Sequence, residues 1–298
     1  MTAPEASARE AFTDVASARE ASVPTRFAAS RRRVVALVWK DWRELARNRQ
    51  ALAPLVVVPL VFVVLLPTAV ILLGANPAIT SMVTGMQSFL DHLPAGVMPA
   101  GLDEAQTVVY AVVVFFLAPL FLVIPVMVAS VTASSSFVGE KERRTIEGLL
   151  STPLSDRELV LGKVLASMVL SVGIAWAAFL VYAVLVNVLA WPILGRVFFP
   201  TWTWAVVIGL LVPLVAFLAT SLIVAVSGRS TTMQGAQGVA VLVVLPVLAL
   251  VVGQATGVML FDAGIALAAA AVLLVVDLAV FPLVARGFDR ERIVTRMT

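Results

Sequence analysis

The sequence predicts an all-α membrane protein with six transmembrane helices and both chain ends in the cytosol. Three observations carry this. First, 61% of the 298 residues are hydrophobic and only 13% are charged, with a mean hydropathy of +1.03. A soluble domain keeps about a quarter of its residues charged, so this excess of apolar side chain must face lipid. Second, six stretches are long and apolar enough to cross about 30 Å of hydrocarbon. Third, 20 of the 21 Lys and Arg residues fall on one side of those stretches.

The elements follow in order. Residues 1–30 are rich in Ala, Ser, Glu and Arg and hold no apolar run; they read as a disordered cytosolic tail rather than a signal peptide. Residues 31–50 place Val35, Val38, Trp39, Trp42, Leu45 and Ala46 at helical spacing between charged positions. That pattern predicts an amphipathic elbow helix lying in the interface, its tryptophans among headgroups and its arginines near anionic lipid. The transmembrane domain, 51–286, then holds spans at Leu52–Leu73, Val108–Thr132, Val164–Ala190, Trp204–Val226, Gly238–Leu260 and Gly264–Ala285. A basic tail, 287–298, closes the chain.

Ten basic residues precede the first span. Lys141, Arg143, Arg144, Arg157 and Lys163 lie between the second and third, Arg229 between the fourth and fifth, and four follow the sixth. Only Arg196 falls on the other face. Positive-inside bias therefore puts both termini in the cytosol, and the even number of spans agrees. Trp191, Trp202 and Trp204 fall where an outer interfacial belt belongs. Pro59, Pro119, Pro125, Pro213 and Pro246 lie inside spans; in a bundle, neighbouring helices re-satisfy the carbonyls that prolines free.

Composition excludes much chemistry. The chain has no cysteine and a single histidine, His92. Disulfides, thiolate metal sites, histidine pairs and cysteine nucleophiles are ruled out. No metal site, catalytic residue or cofactor bound by this chain is expected. Nor does the net charge of +3, concentrated on one membrane face, point to nucleic acid.

The informative loop is Ser136–Lys163. It opens on a mixed-charge run, Glu140 to Glu147, which suits a solvated helix with pairs such as Glu140–Arg144. Ile146, Leu149 and Leu150 make an apolar ridge, and Thr152-Pro153 stops the helix. Ser155 and Glu158 form a capping box that restarts the chain as the third span. A tidy loop is one reading; a docking element offering charge and a small ridge to a cytosolic partner is the sharper one.

This segment resembles the signature of ABC-2 type permeases, the membrane subunits of a class of ATP-binding cassette exporters. The similarity lies in Gly139, Glu140, Lys141, Glu142 and Arg143, in Thr145 to Glu147, in Leu149 and Leu150, in Thr152 to Ser155, in Arg157 and Glu158, and in Gly162 and Lys163. Lys40–Gln50 is similar to the family's elbow helix. The resemblance implies a coupling helix over Phe137–Leu150 on which a separate ATPase subunit docks. It also implies a permease dimer, with a second copy or a paralogue, in the cell membrane. ATP and Mg would bind the partner, because this chain has no phosphate loop: Gly162-Lys163 is followed by Val164, without the upstream glycine. Arg144 and Gly148 depart from the family pattern, and a mid-helix glycine costs about 1 kcal/mol against alanine; a shorter or kinked coupling helix is expected.

Several polar and small residues lie inside spans. Gly253-x-x-x-Gly257 is a small-residue motif that permits close helix approach and marks a candidate dimer contact; the segment up to Gly264 is a candidate re-entrant element. Asn187, Gln237 and Gln254 read as interhelical hydrogen-bond formers, with pathway lining as the alternative. Asp277 is the one ionisable residue deep in a span. Its two readings are a carboxyl hydrogen-bonded to a neighbouring helix, which is preferred, and a proton or cation site. In the outer loop, Ile79, Met82, Val83, Met86, Leu90 and Leu93 form a helical stripe, either packed on the span tops or roofing a pathway; Asp91 and His92 read as loop polarity. An exporter of amphipathic or lipophilic compounds is the first expectation and monovalent cation export the second. An ion-gradient-driven secondary transporter is the rival from another class; it would need charged sites within spans and often shows inverted repeats.

Overall fold

The computed structural model describes residues 39–40, 42–43, 49–73, 86–91, 93, 98–142, 156–227, 230 and 232–287. All regular structure among them is helical. Six helices have the length and composition of membrane spans: α1 (Leu52–Leu73), α2 (Glu104–Ser136), α3 (Leu161–Leu194), α4 (Trp202–Ser227), α5 (Met233–Ala255) and α6 (Ala263–Val284). Of the predicted tails, 1–30 and 287–298, all but Gly287, which ends the last helix, lie outside the described residues.

One span organises the rest. In α2, 83% of the membrane-length window is buried inside the chain, against 22% in α1 and in α5 and 17% in α6. α2 packs against α1, α3, α4 and α5, and α6 packs chiefly on α4. The sequence of α2 explains its place. From Val108 to Val114 every residue is apolar or aromatic and buried, and farther along Ala129, Ser130, Thr132, Ala133 and Ser134 are small and buried, which lets neighbouring backbones approach closely. The buried hydroxyls are spent within their own helix: Thr132 Oγ1 donates to the Val128 carbonyl at 2.9 Å and Ser134 Oγ to that of Val131 at 3.2 Å.

Three spans contain a π turn, in which each N–H reaches the carbonyl five residues back: Leu60–Leu65 in α1, Val112–Phe116 in α2 and Val207–Leu211 in α4. A proline follows each closely, at Pro67, Pro119 and Pro213. Proline has no N–H to continue the ladder. In this wide register the carbonyl five residues before the proline loses its donor. In α2 that carbonyl is Val114, and Trp204 Nε1 of α4 donates to it at 2.8 Å. In α4 it is Ile208, and Trp176 Nε1 of α3 donates to it at 3.1 Å. Indole N–H groups from neighbouring spans thus replace the donors that proline removes. Two further side chains converge on the α2 turn: Tyr182 OH donates to the Val113 carbonyl at 2.8 Å, and Gln254 Nε2 donates to that of Phe115 at 3.4 Å.

Around this turn Phe121, Tyr182, Phe199 and Trp204 stack and meet edge to face, with ring centroids 4.9 to 6.2 Å apart. Trp204 is therefore a core residue, fully buried, and not a member of the interfacial belt as its position predicted. Trp191 and Trp202 are exposed. The span bounds also shift. α2 begins at Glu104, a turn earlier than expected, because Asp103 and Gln106 form a capping box, and α3 is longer than expected at both ends.

At this far end of the bundle, part of the predicted stripe is the short helix Met86–Asp91. Leu90 and Leu93 lie against the core, anchored by buried Phe89, whose ring meets Phe116 edge-on at 5.5 Å. Asp91 is exposed; Ile79, Met82, Val83 and His92 lie outside the described residues.

Candidate functional site

The charged signature begins just past the end of α2, next to the fully buried Val138. The helix Val123–Glu142 is unbroken, so Phe137, Gly139, Glu140, Lys141 and Glu142 continue the central span as one rod, with no stop between span and signature. Arg143, Thr145, Glu147, Leu149, Leu150 and Ser155 lie outside the described residues. The chain returns as the helix Asp156–Leu194, which carries Glu158 in its first turn and starts ahead of α3 at Leu161.

The two feet of this loop meet at the base of the bundle. Lys163, counted from the sequence as part of the loop's positive charge, is fully buried. Its ammonium donates to the backbone carbonyl of Ser136 and to Ser136 Oγ at 3.2 Å. A charge is held in a buried position only when its donors are satisfied, and here the partner atoms belong to α2. Beside it, Val164 packs with Val224 of α4 and Val284 of α6. Trp42, in the predicted elbow, donates from Nε1 to the Ala166 carbonyl at 3.1 Å, and the Arg43 guanidinium lies 5.7 Å from the ring centre of Trp39. Gln237 Nε2 of α5 donates to Ser134 Oγ of α2 at 3.1 Å. Five spans and the elbow therefore share one junction at the root of the loop.

The remaining candidates do not gather there. Asn187 sits toward the far end of α3: its Nδ2 donates to the Ala183 and Phe199 carbonyls at 2.8 Å, and its Oδ1 accepts from the Phe198 and Phe199 amides. It fastens the α3–α4 turn. Gln254, besides reaching Phe115, accepts from the Phe261 amide at 3.1 Å and so pins the α5–α6 turn to α2.

Gly253 and Gly257 have intrachain roles. Gly257 has φ of +71° and terminates α5. Its N–H donates to the Gln254 carbonyl at 3.0 Å, and that of Val258 to the Gly253 carbonyl at 3.0 Å, the paired bonds of a glycine helix stop. A Cβ on Gly253 would lie 3.0 Å from Met259 Sδ. The same spacing encodes the end of the helix, with its own turn folded back on it. That turn, 256–262, is short and irregular; no re-entrant helix appears among the described residues. Asp262 then caps α6, its Oδ1 accepting from the Ile265 amide at 2.9 Å.

Asp277 is buried in α6, 4% exposed, and neither carboxyl oxygen has a hydrogen-bond partner among the described residues. The interhelical bond preferred from sequence is therefore absent there. Leu273, Val280 and Phe281 on the same helix face pack into the bundle, which places the carboxyl in apolar surroundings. Sequence reasoning also missed the Lys163–Ser136 tie and the donors Tyr182, Trp176 and Trp204. The in-span prolines were the one signal for the tryptophans: they announced orphan carbonyls without saying who serves them.

The fold and this junction define a multi-pass membrane permease, with a bundle arranged on one central span. The model of the ABC-2 family of transporter proteins matches residues 35–267, from the elbow into α6. The chain belongs to that family. No individual curated protein matches it.

Proposed function

We propose that this chain is the membrane subunit of an ABC-2 type exporter in the cell membrane, with both termini in the cytosol. It works as a pair with a second copy or a paralogue, and the pathway runs between the two. A separate ATPase subunit, binding ATP and Mg, docks on Phe137–Leu150 and supplies the work. The observation that carries this reading is the continuity of the helix from the enclosed core of α2 through Gly139–Glu142. A force applied at the signature acts on the most buried element of the bundle, and packed helices transmit displacement as rigid bodies. The cargo on this reading is an amphipathic or lipophilic compound, supported by the apolar character of the lipid-facing spans.

The test is co-purification of the tagged permease with a phosphate-loop ATPase from its native membranes. Deleting residues 140–148 should abolish the association and ATP-dependent transport; unchanged assembly and activity would refute the docking claim. Export of a monovalent cation is the second reading, supported by the buried carboxyl of Asp277, which has no hydrogen-bond partner among the described residues. It fails if Asp277→Asn leaves cation-dependent growth unchanged.

A further inference from the structure

We propose that Lys163 is the positioning residue that presents the docking loop to its ATPase, by tying the loop's two feet together inside the bundle. This inference rests on the docking reading above.

Residues 136 and 163 bracket the loop 137–162. At one foot Ser136 closes the α2 span, just before the fully buried Val138; at the other Lys163 lies two turns inside the helix that begins at Asp156. The ammonium crosses between them to the Ser136 carbonyl and hydroxyl. Nothing about a positive charge favours a fully buried site, and a methionine or leucine would fill the same space without the penalty of desolvation. A lysine there gains its advantage from direction. Its ammonium must stay within hydrogen-bond reach of the Ser136 carbonyl and hydroxyl, which limits how far the two helices can slide or rotate, whereas apolar contacts between smooth spans permit both. The neighbouring contacts work to the same end: Val164 meets α4 and α6, and Trp42 holds the Ala166 carbonyl one turn away. Both feet of the loop are thus fixed in relative height and rotation, which lowers the ordering cost of docking. The same tie makes a push on the loop move α2 and α3 as one body.

The experiment uses the full-length permease in nanodiscs and the phosphate-loop ATPase that co-purifies with the tagged wild type. Binding of that ATPase is titrated onto wild type, Lys163→Met, Lys163→Arg and Ser136→Ala, with thermal unfolding of each permease measured alongside. Lys163→Met is expected to weaken docking by about tenfold, within the usual range of coupling between sites. Lys163→Arg is expected to recover most of the affinity, and Ser136→Ala to lose less than Lys163→Met. An unchanged dissociation constant in Lys163→Met, or a lowered unfolding temperature with unchanged docking, overturns the proposal and leaves a purely structural lysine. If Lys163→Met does not fold, Lys163→Gln takes its place, and unchanged docking there overturns the proposal as well. Failure of the wild type to bind any ATPase refutes the docking reading itself, a distinct outcome.

Discussion

The pairing of prolines with indoles can be tested by removing each member in turn. Trp204→Phe keeps an aromatic ring in the core but deletes the N–H that serves the Val114 carbonyl at 2.8 Å. Both residues are fully buried, so no water replaces the donor. Two contributions add. Loss of ring volume in a close-packed site costs about 1–2 kcal/mol, a fraction of the full aromatic truncation. Leaving a buried carbonyl unpaired costs about 1–3 kcal/mol, although measured interhelical bonds in membrane proteins average only about 0.6 kcal/mol and reach about 1.7. We take about 1–2 kcal/mol for the carbonyl and expect about 2–4 kcal/mol in all. The second perturbation separates the two. Pro119→Ala restores an N–H five residues after Val114, where the wide turn needs it. In the Trp204→Phe background it should return about 1–2 kcal/mol, while the packing loss stays. The assay is equilibrium unfolding in mixed SDS micelles, run as a double-mutant cycle over the wild type, the two single variants and the pair. A coupling within about 0.3 kcal/mol of zero would refute the reasoning and reduce Trp204 to a space-filling ring.

Two further predictions use the same assay. Gly257→Ala forces an L side chain into a left-handed turn at φ +71° and should cost about 1–2 kcal/mol, whereas Gly253→Ala meets Met259 Sδ at 3.0 Å and Cγ at 3.1 Å, which must give slightly, and should cost less, within about 0.5 kcal/mol of wild type; equal sensitivity together with a changed oligomeric state would support a helix-packing motif. Asp277→Leu removes a buried carboxyl that has no hydrogen-bond partner among the described residues and should stabilise the bundle by about 1 kcal/mol or more; a loss of stability would show that the carboxyl is hydrogen-bonded in the folded protein.

The amino-acid sequence by itself determined that the chain crosses a membrane six times. Span number follows from local hydropathy summed over about 20 residues, and no knowledge of neighbours is needed. Its charge asymmetry predicted the orientation, and its signature between the second and third spans was legible because it is contiguous, from Gly139 to Lys163. What the tertiary structure alone decided depends on which helix faces which. All six spans are apolar, so hydropathy does not distinguish the enclosed α2 from the lipid-facing α6. Trp204 and Trp202 are two residues apart and equally aromatic in the sequence, yet one is sealed in the core beneath a proline-freed carbonyl and the other faces outward. That Gly257 also ends α5 in a left-handed turn was not legible in the small-residue spacing. Lys163 counted as loop charge until its ammonium was found against Ser136, 27 residues away. In lipid, the partner of a buried polar group must be supplied by another part of the protein, and that partner is fixed by the packing of the bundle.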